Sequence, residues 1–189
     1  MPSAPQHTDR RVQRTHEALL ESLRQLMSER GYERLTIQNL LDHAGVSRAT
    51  FYSHFSSKDD LLTTSIAGLR AWLLQEAAPR STEELGFTLP FLLHLESHKP
   101  LYGRCIRRGE LTVGRDIRTM LREMIRDDLV RRTGSSRDAA GVALTTEFLT
   151  GAFWSVIAHW MRESPETSAV EINQTFRRLV FSGLPGTPA

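Results

Sequence analysis

Residues 44–55, AGVSRATFYSHF, decide the fold. Gly45 sits where a short helix from Ile37 must stop, because glycine enters the left-handed conformation of a helix C-terminus without a Cβ penalty. Ser47, two residues on, restarts the helix: its hydroxyl is placed to cap the backbone amide of Ala49 or Thr50. Each flanking helix, at about seven residues, is too short to be stable alone, so both must be held by packing. Phe51 and Phe55, at i and i+4, share one face. The other face carries Arg48, Ala49, Tyr52 and Ser53, with Thr50 at its margin. Two short helices joined by a tight glycine turn make a helix-turn-helix.

Upstream, Val12, His16, Leu19, Leu23, Leu26 and Met27 recur at helical spacing and stop at Gly31, which predicts a first helix over 9–30 behind a mobile arm, residues 1–8. Thr36 stands as the cap before Ile37, Leu40 and Leu41. Downstream, Ser57 with Asp60 three residues on approximates a capping box and predicts a long helix over 58–77, ending before Pro79. Further helices are expected near 83–98, 99–107, 115–132, 137–162 and 166–182, and the C-terminal GLPGTPA reads as a second mobile segment. Period-two alternation and internal repeats are absent from the sequence. The fold class is all-α. A three-helix unit holding the helix-turn-helix, with its arm, takes residues 1–58, and a helical bundle takes 59–189.

Charge alone does not argue a nucleic-acid partner. The formal net charge is +2, and residues 1–60 hold eight basic and eight acidic side chains. Any affinity of this segment for DNA must come from placement. In a helix-turn-helix the second helix enters the major groove while the first crosses the phosphate backbone. Arg48 is then the base reader, since its guanidinium matches the O6 and N7 edge of guanine. Tyr52, His54 and Lys58 suit phosphates, Thr36 offers a helix N-terminus, and Arg10, Arg11 and Arg14 can follow the backbone.

The run THEALLESLRQLMSERGYERLTIQNLLDHAGVSRATFYSHFSSKDDLL, residues 15–62, resembles the DNA-binding domain of the TetR family of bacterial transcriptional regulators. The resemblance is carried by Gly31, Tyr32, Leu35, Thr36, Gly45, Val46, Thr50, Phe51, Tyr52, His54, Phe55, Lys58, Leu61 and Leu62. It covers about a quarter of the chain by motif and the rest by helical layout. It implies DNA contacts at Thr36, Gln38, Ser47, Arg48, Ala49, Thr50, Tyr52, Ser53, His54 and Lys58, with Tyr52 and Lys58 firmest on phosphate. It also implies a homodimer on a near-palindromic operator and a small-molecule effector held in the C-terminal bundle.

In that bundle TTEFLTGAFWSVIAHWM, residues 145–161, is apolar around much of its helix. With the last helix it is expected to build the dimer interface through Gly151, Ala152, Ser155, Ala158, His159, Phe176, Val180 and Phe181. Trp72, Phe91, His94, Leu95, Tyr102, Met124, Phe148 and Trp154 are candidate walls of the effector site, each of which also suits plain core packing. Arg115, Arg118, Arg122 and Arg126 form one stripe opposite Ile117, Met120, Leu121, Met124 and Ile125, as on a solvated helix.

Several function classes are excluded by pattern. No nucleophile with a base, metal cluster or phosphate cradle stands at a mechanically meaningful spacing, so catalysis is not expected. His94 and His98 lie four apart without a second pair of strong ligands, so no metal or cofactor is expected. Cys105 is the single cysteine and reads as a core residue. No membrane span and no export signal are read in the chain, which is expected to work in the cytoplasm. The reading is a ligand-responsive regulator, most simply a repressor released by its effector. The alternative is an all-α small-molecule or protein-binding module whose N-terminal motif is only structural.

Overall fold

A computed structural model describes residues 6–78, 83–108, 111–133 and 139–183, and among them every regular element is a helix. In chain order these are α1 (Gln6–Arg30), α2 (Ile37–Ala44), α3 (Arg48–His54), α4 (Lys58–Ala77), α5 (Thr88–Ser97), α6 (Lys99–Arg108), α7 (Leu111–Thr133), α8 (Ala139–Glu163) and α9 (Ala169–Phe181).

The punctuation that the sequence announced is what starts and stops the first four. Gly31 and Gly45 both take positive φ, 84° and 64°, closing α1 and α2. Thr36 and Asn39 form a reciprocal capping box, each side chain bonding the other's backbone amide at 3.2 Å. Ser47 Oγ accepts from the Thr50 amide at 3.2 Å, so Thr50 is the capped amide of the two expected. Ser57 Oγ accepts from the Asp60 amide at 3.0 Å, while the Asp60 carboxylate reaches back to the Ser56 amide at 2.8 Å. Each such cap contributes about 1 kcal/mol.

Boundaries moved where long-range contacts intervene. The expected mobile arm is cut short because α1 begins at Gln6; residues 1–5 and 184–189, the rest of both mobile segments, lie outside the described residues. α5 starts at Thr88 instead of near 83. Leu85 holds φ 52°, which a right-handed helix cannot contain, and its amide donates to Asp128 on α7 at 3.1 Å. Asp128 is buried and also accepts from Arg131 and Arg132 at 2.7 and 2.9 Å. α9 starts at Ala169, where Ser168 and Glu171 make a second capping box.

The core is continuous from the helix-turn-helix into the bundle. Leu19, Leu23, Leu26 and Met27 line the buried stripe of α1, which packs on α2, α4 and α6. Val12 was counted in that stripe but lies 44% exposed, so the stripe starts a turn later. α8 packs against α6, α7 and α9. One expectation needs correction here: Ala140–Glu163 is long and apolar enough to cross a membrane by length and composition. Its inner face, including Leu149, Phe153, Ile157 and Trp160, is buried within the bundle.

Candidate functional site

α3 is anchored from one side. Phe51 and Phe55 are buried with ring centroids 5.9 Å apart, and Phe55 packs on His16 of α1 at 5.1 Å. Burial of each phenylalanine stabilises the unit by about 2 kcal/mol. Arg48, Ala49, Tyr52 and Ser53 are thereby turned outward and exposed. Thr50 and His54 are only half-exposed: Thr50 Oγ1 bonds Ser47 Oγ at 2.8 Å, and the His54 ring leans on Phe55. Ser53 Oγ donates to the Thr50 carbonyl at 2.7 Å.

The two helices of the motif are joined by a polar relay. Arg48 Nη2 donates to Gln38 Oε1 at 2.9 Å, and Gln38 Nε2 donates to Asp42 Oδ1 at 2.7 Å. Asp42 therefore orients the Gln38 amide so that its oxygen faces the guanidinium. Sequence reasoning named Gln38 and Arg48 separately and missed Asp42. Its signal was the i, i+4 spacing of Gln38 and Asp42 on one short helix.

Lys58, expected to contact phosphate, is also engaged within the fold. Its ammonium donates to the carbonyls of Tyr32 and Leu35, both at 3.0 Å, and lies 4.1 Å from the centroid of the Tyr32 ring. Two of its three protons thus serve the α1–α2 loop. The buried Tyr32 hydroxyl donates to Asp59, and burial followed by that carboxylate holds the phenol well above its ordinary range. Tyr32, Lys58 and Asp59 together tie the start of α4 to the helix-turn-helix. Arg10, Arg11 and Arg14 are exposed on the first turns of α1, and Thr36 is exposed at the head of α2.

A cavity of about 470 Å³ opens on the other side of α1. α1 supplies Leu20, Arg24 and Met27, α4 supplies Leu62, Leu69 and Trp72 among others, and α7 supplies Val113 and Ile117. Its polar lining is His94, His98 and Tyr102, with Arg24, Thr64 and Ser65. His94 Nε2 and the Tyr102 hydroxyl are 2.9 Å apart, His98 Nδ1 donates to the His94 carbonyl at 2.9 Å, and the two imidazoles stack at 4.4 Å. Burial, then the neighbouring His98 and Arg24, lower the His94 pKa to about 4. Burial likewise raises the Tyr102 phenol.

Of the expected wall residues, Trp72, His94 and Tyr102 line this cavity. Phe91, Leu95 and Trp154 lie around a much smaller void, which Tyr102 also touches. Met124 is packed in the core, and Phe148 points outward at 66% exposure. The α1 contribution was missed: Arg24 stands between Leu20 and Met27 beside the apolar stripe, where a charge ordinarily marks the solvent margin of a helix. The expected dimer residues divide as well. Ser155, His159 and Phe181 are exposed, Gly151, Ala152 and Val180 half-buried. Ala158 and Phe176 face inward, with Phe176 against Phe153 at 4.7 Å, so these two belong to the protomer's own core. Leu144, Phe148, Val170 and Leu179 are exposed on the same two helices.

Residues 19–63 match the model of the bacterial regulatory proteins of the tetR family. The chain is similar to the uncharacterized HTH-type transcriptional regulator YxbF of Bacillus subtilis, 41% identical over 59 residues, 31% of this chain and 16% of YxbF. It is similar to the HTH-type transcriptional regulator TcmR of Streptomyces glaucescens, 29% identical over 58% of this chain and 46% of TcmR. The chain thus spans less than half the length of either. The HTH-type transcriptional repressor KstR2 of Mycobacterium tuberculosis is 24% identical over 88% of this chain and 90% of KstR2. Among solved structures, a TetR transcriptional regulator from Streptococcus agalactiae superposes with TM-score 0.69 at 20% identity, covering 92% of this chain and 97% of the other. The regulator FadR from Bacillus subtilis, in complex with stearoyl-CoA, gives 0.66 at 16% identity, covering 89% and 99%. At these identities the superpositions establish the fold.

Proposed function

We propose that the chain is a member of the tetR family of bacterial regulatory proteins, whose model matches residues 19–63, and that it is a homodimeric, ligand-responsive transcriptional repressor acting in the cytoplasm. The family's members are DNA-binding regulators of transcription, not enzymes. The observation that carries the reading is the outward face of α3: Arg48, Ala49, Tyr52 and Ser53 exposed on a helix whose opposite face is buried through Phe51 and Phe55. Inserted in a major groove, Arg48 reads a guanine edge, and Tyr52, Ser53 and the exposed arginines of α1 meet phosphates. Gln38 holds the Arg48 guanidinium from α2. Lys58 acts chiefly by fixing the loop that presents this face.

Residues 1–58 act as the DNA-binding unit and 59–189 as the effector and dimerisation unit. The exposed apolar residues of α8 and α9, Leu144, Phe148, Val170, Leu179 and Phe181, with the small Gly151 and Ser155 between, meet the same surface of a second copy in an isologous four-helix contact. Two α3 helices then address successive major grooves, about 34–36 Å apart, of a near-palindromic operator. An effector in the cavity contacts α1 and α4 together, and α4 is tied to the helix-turn-helix through Lys58 and Asp59. A ligand that favours a different setting of these helices shifts the dimer away from the spacing the operator requires. The FadR neighbour was solved with an acyl-CoA, which supports a small molecule seated in this kind of bundle.

Nuclease footprinting on the DNA upstream of the protein's own gene tests the reading. Two protected half-sites one helical turn apart are expected. Uniform cleavage at concentrations that saturate any binding would overturn it.

A further inference from the structure

We propose that the cavity takes a small apolar carboxylic acid as its monoanion, with Arg24 holding the carboxylate and the wall beside Trp72 receiving the apolar body. The proposal rests on the effector reading above and specifies the ligand's chemical class.

Most of the lining is apolar, including Leu20, Met27, Leu62, Leu69, Val113 and Ile117. Among the described lining residues Arg24 is the only Lys, Arg, Asp or Glu. A lipophilic cation entering this space would meet a fixed positive charge and no carboxylate on the lining. A polyol would leave most of its hydroxyl groups facing the aliphatic residues that make up most of the lining, at a cost of about 1–3 kcal/mol for each left unpaired. Several other polar groups on the lining already have partners: His94 is paired with Tyr102 at 2.9 Å, His98 Nδ1 donates to the His94 carbonyl at 2.9 Å, and Thr64 Oγ1 donates to the Asp60 carbonyl at 2.9 Å, while Ser65 adds one neutral hydroxyl. With its pKa lowered to about 4, His94 is neutral at physiological pH and supplies no second cation. Arg24 has a different situation. Its partner is Glu21, one turn away on the same helix, and the two side chains are 51% and 63% exposed. An exposed pair of this kind is worth about 0–1 kcal/mol, so an incoming carboxylate displaces it easily. The guanidinium fork then binds both carboxylate oxygens at once.

One guanidinium suits one negative charge. A coenzyme A thioester brings several phosphates, whereas Arg24 is the single Lys or Arg on the described lining. The placement also matters: Arg24 belongs to α1, the helix on which the DNA-reading motif is built, while Trp72 and Ile117 belong to α4 and α7. The acid therefore holds the DNA-binding unit by its head and the bundle by its body.

Titration calorimetry on the full chain, without DNA, with decanoate, decanol, decylamine and decanoyl-coenzyme A tests this. Decanoate is expected to bind at least about tenfold tighter than decanol, about 1.4 kcal/mol, and decylamine more weakly than either. Arg24→Gln is expected to abolish the advantage of the acid while leaving decanol affinity unchanged, and Arg24→Lys to retain part of it. Glu21→Gln, which removes the competing carboxylate, is expected to tighten decanoate severalfold. Equal binding of acid and alcohol, an acid preference that survives Arg24→Gln, tighter binding of the thioester than of the free acid, or no binding by any probe would each overturn the proposal. Failure of the acid preference with operator binding intact overturns this ligand class alone. Failure of operator binding overturns the regulator reading and leaves the calorimetric result standing.

Discussion

Lys58 shows how one side chain changes meaning when its neighbours are known. Its ammonium spends two bonds on the Tyr32 and Leu35 carbonyls, so Lys58→Ala removes a strut as well as a charge. Bonds from a charged donor contribute roughly 1.5–3 kcal/mol, and thermal unfolding should show a loss of that order together with weaker binding of all DNA sequences alike. An unchanged melting temperature would return Lys58 to a pure phosphate contact. His94 gives a second residue-scale outcome. Its pKa falls from 6.5 to about 4 on folding, so between those values the unfolded chain binds more protons than the folded one. The stability present above pH 6.5 is therefore lost as pH falls towards 4. Melting temperatures measured across that window should decline, and His94→Gln, which can still accept from Tyr102, should flatten the decline. The polarity of His94 and Trp72 was readable as a candidate wall. Arg24 was not, because a charge flanking an apolar stripe usually signifies only the solvent margin of a helix.

Local chemistry decides the ends of the helices, and this made the N-terminal elements legible. Thr36, Gly45, Ser47 and Ser57 each act within three or four residues of their own position, so their effect is written in adjacent letters. Gly45 offers a clean check. At φ 64° a Cβ would meet nothing within 4 Å, which leaves backbone strain as the sole cost of Gly45→Ala. The left-handed conformation costs an ordinary residue about 1–2 kcal/mol, and for a chain of this size each kcal/mol lowers Tm by about 2–4 °C. Calorimetric melting should show that drop; a neutral or stabilising substitution would mean the turn relaxes to another conformation. The start of α5 was illegible for the opposite reason. Leu85 is held by Asp128, 43 residues away in sequence, and no local pattern records such a contact. α8 misled in a third way: its apolar letters run nearly all round, so composition does not separate the face packed on α7 and α9 from the face left outside.

At the scale of the molecule that outer face is the unfinished part. Phe148 at 66% exposure and Leu144 at 74% stand beside Gly151 and Ser155 on α8, and a second copy covering them would supply the symmetry that a palindromic operator requires. Phe148→Glu should yield a folded monomer by sedimentation velocity, with helix content retained, and should reduce operator affinity because one recognition helix is lost. A dimer that survives the charge would place the interface elsewhere. In the proposed dimer, doubling would also answer the problem posed by neutral charge in the first sixty residues: two modestly charged units, each presenting Arg48 braced by Gln38, would together achieve what a single basic patch would. That claim is tested most directly by titrating fluorescent upstream DNA with the wild-type chain and with Arg48→Ala at low and high salt. Wild type should form a complex of two protomers per site that competitor DNA does not displace and that weakens steeply with salt. Arg48→Ala should lose about 1–3 kcal/mol on this site and most of its preference over random DNA. Equal affinity of the wild-type chain for upstream and random DNA, or an Arg48→Ala variant that discriminates as well as wild type, would contradict the account.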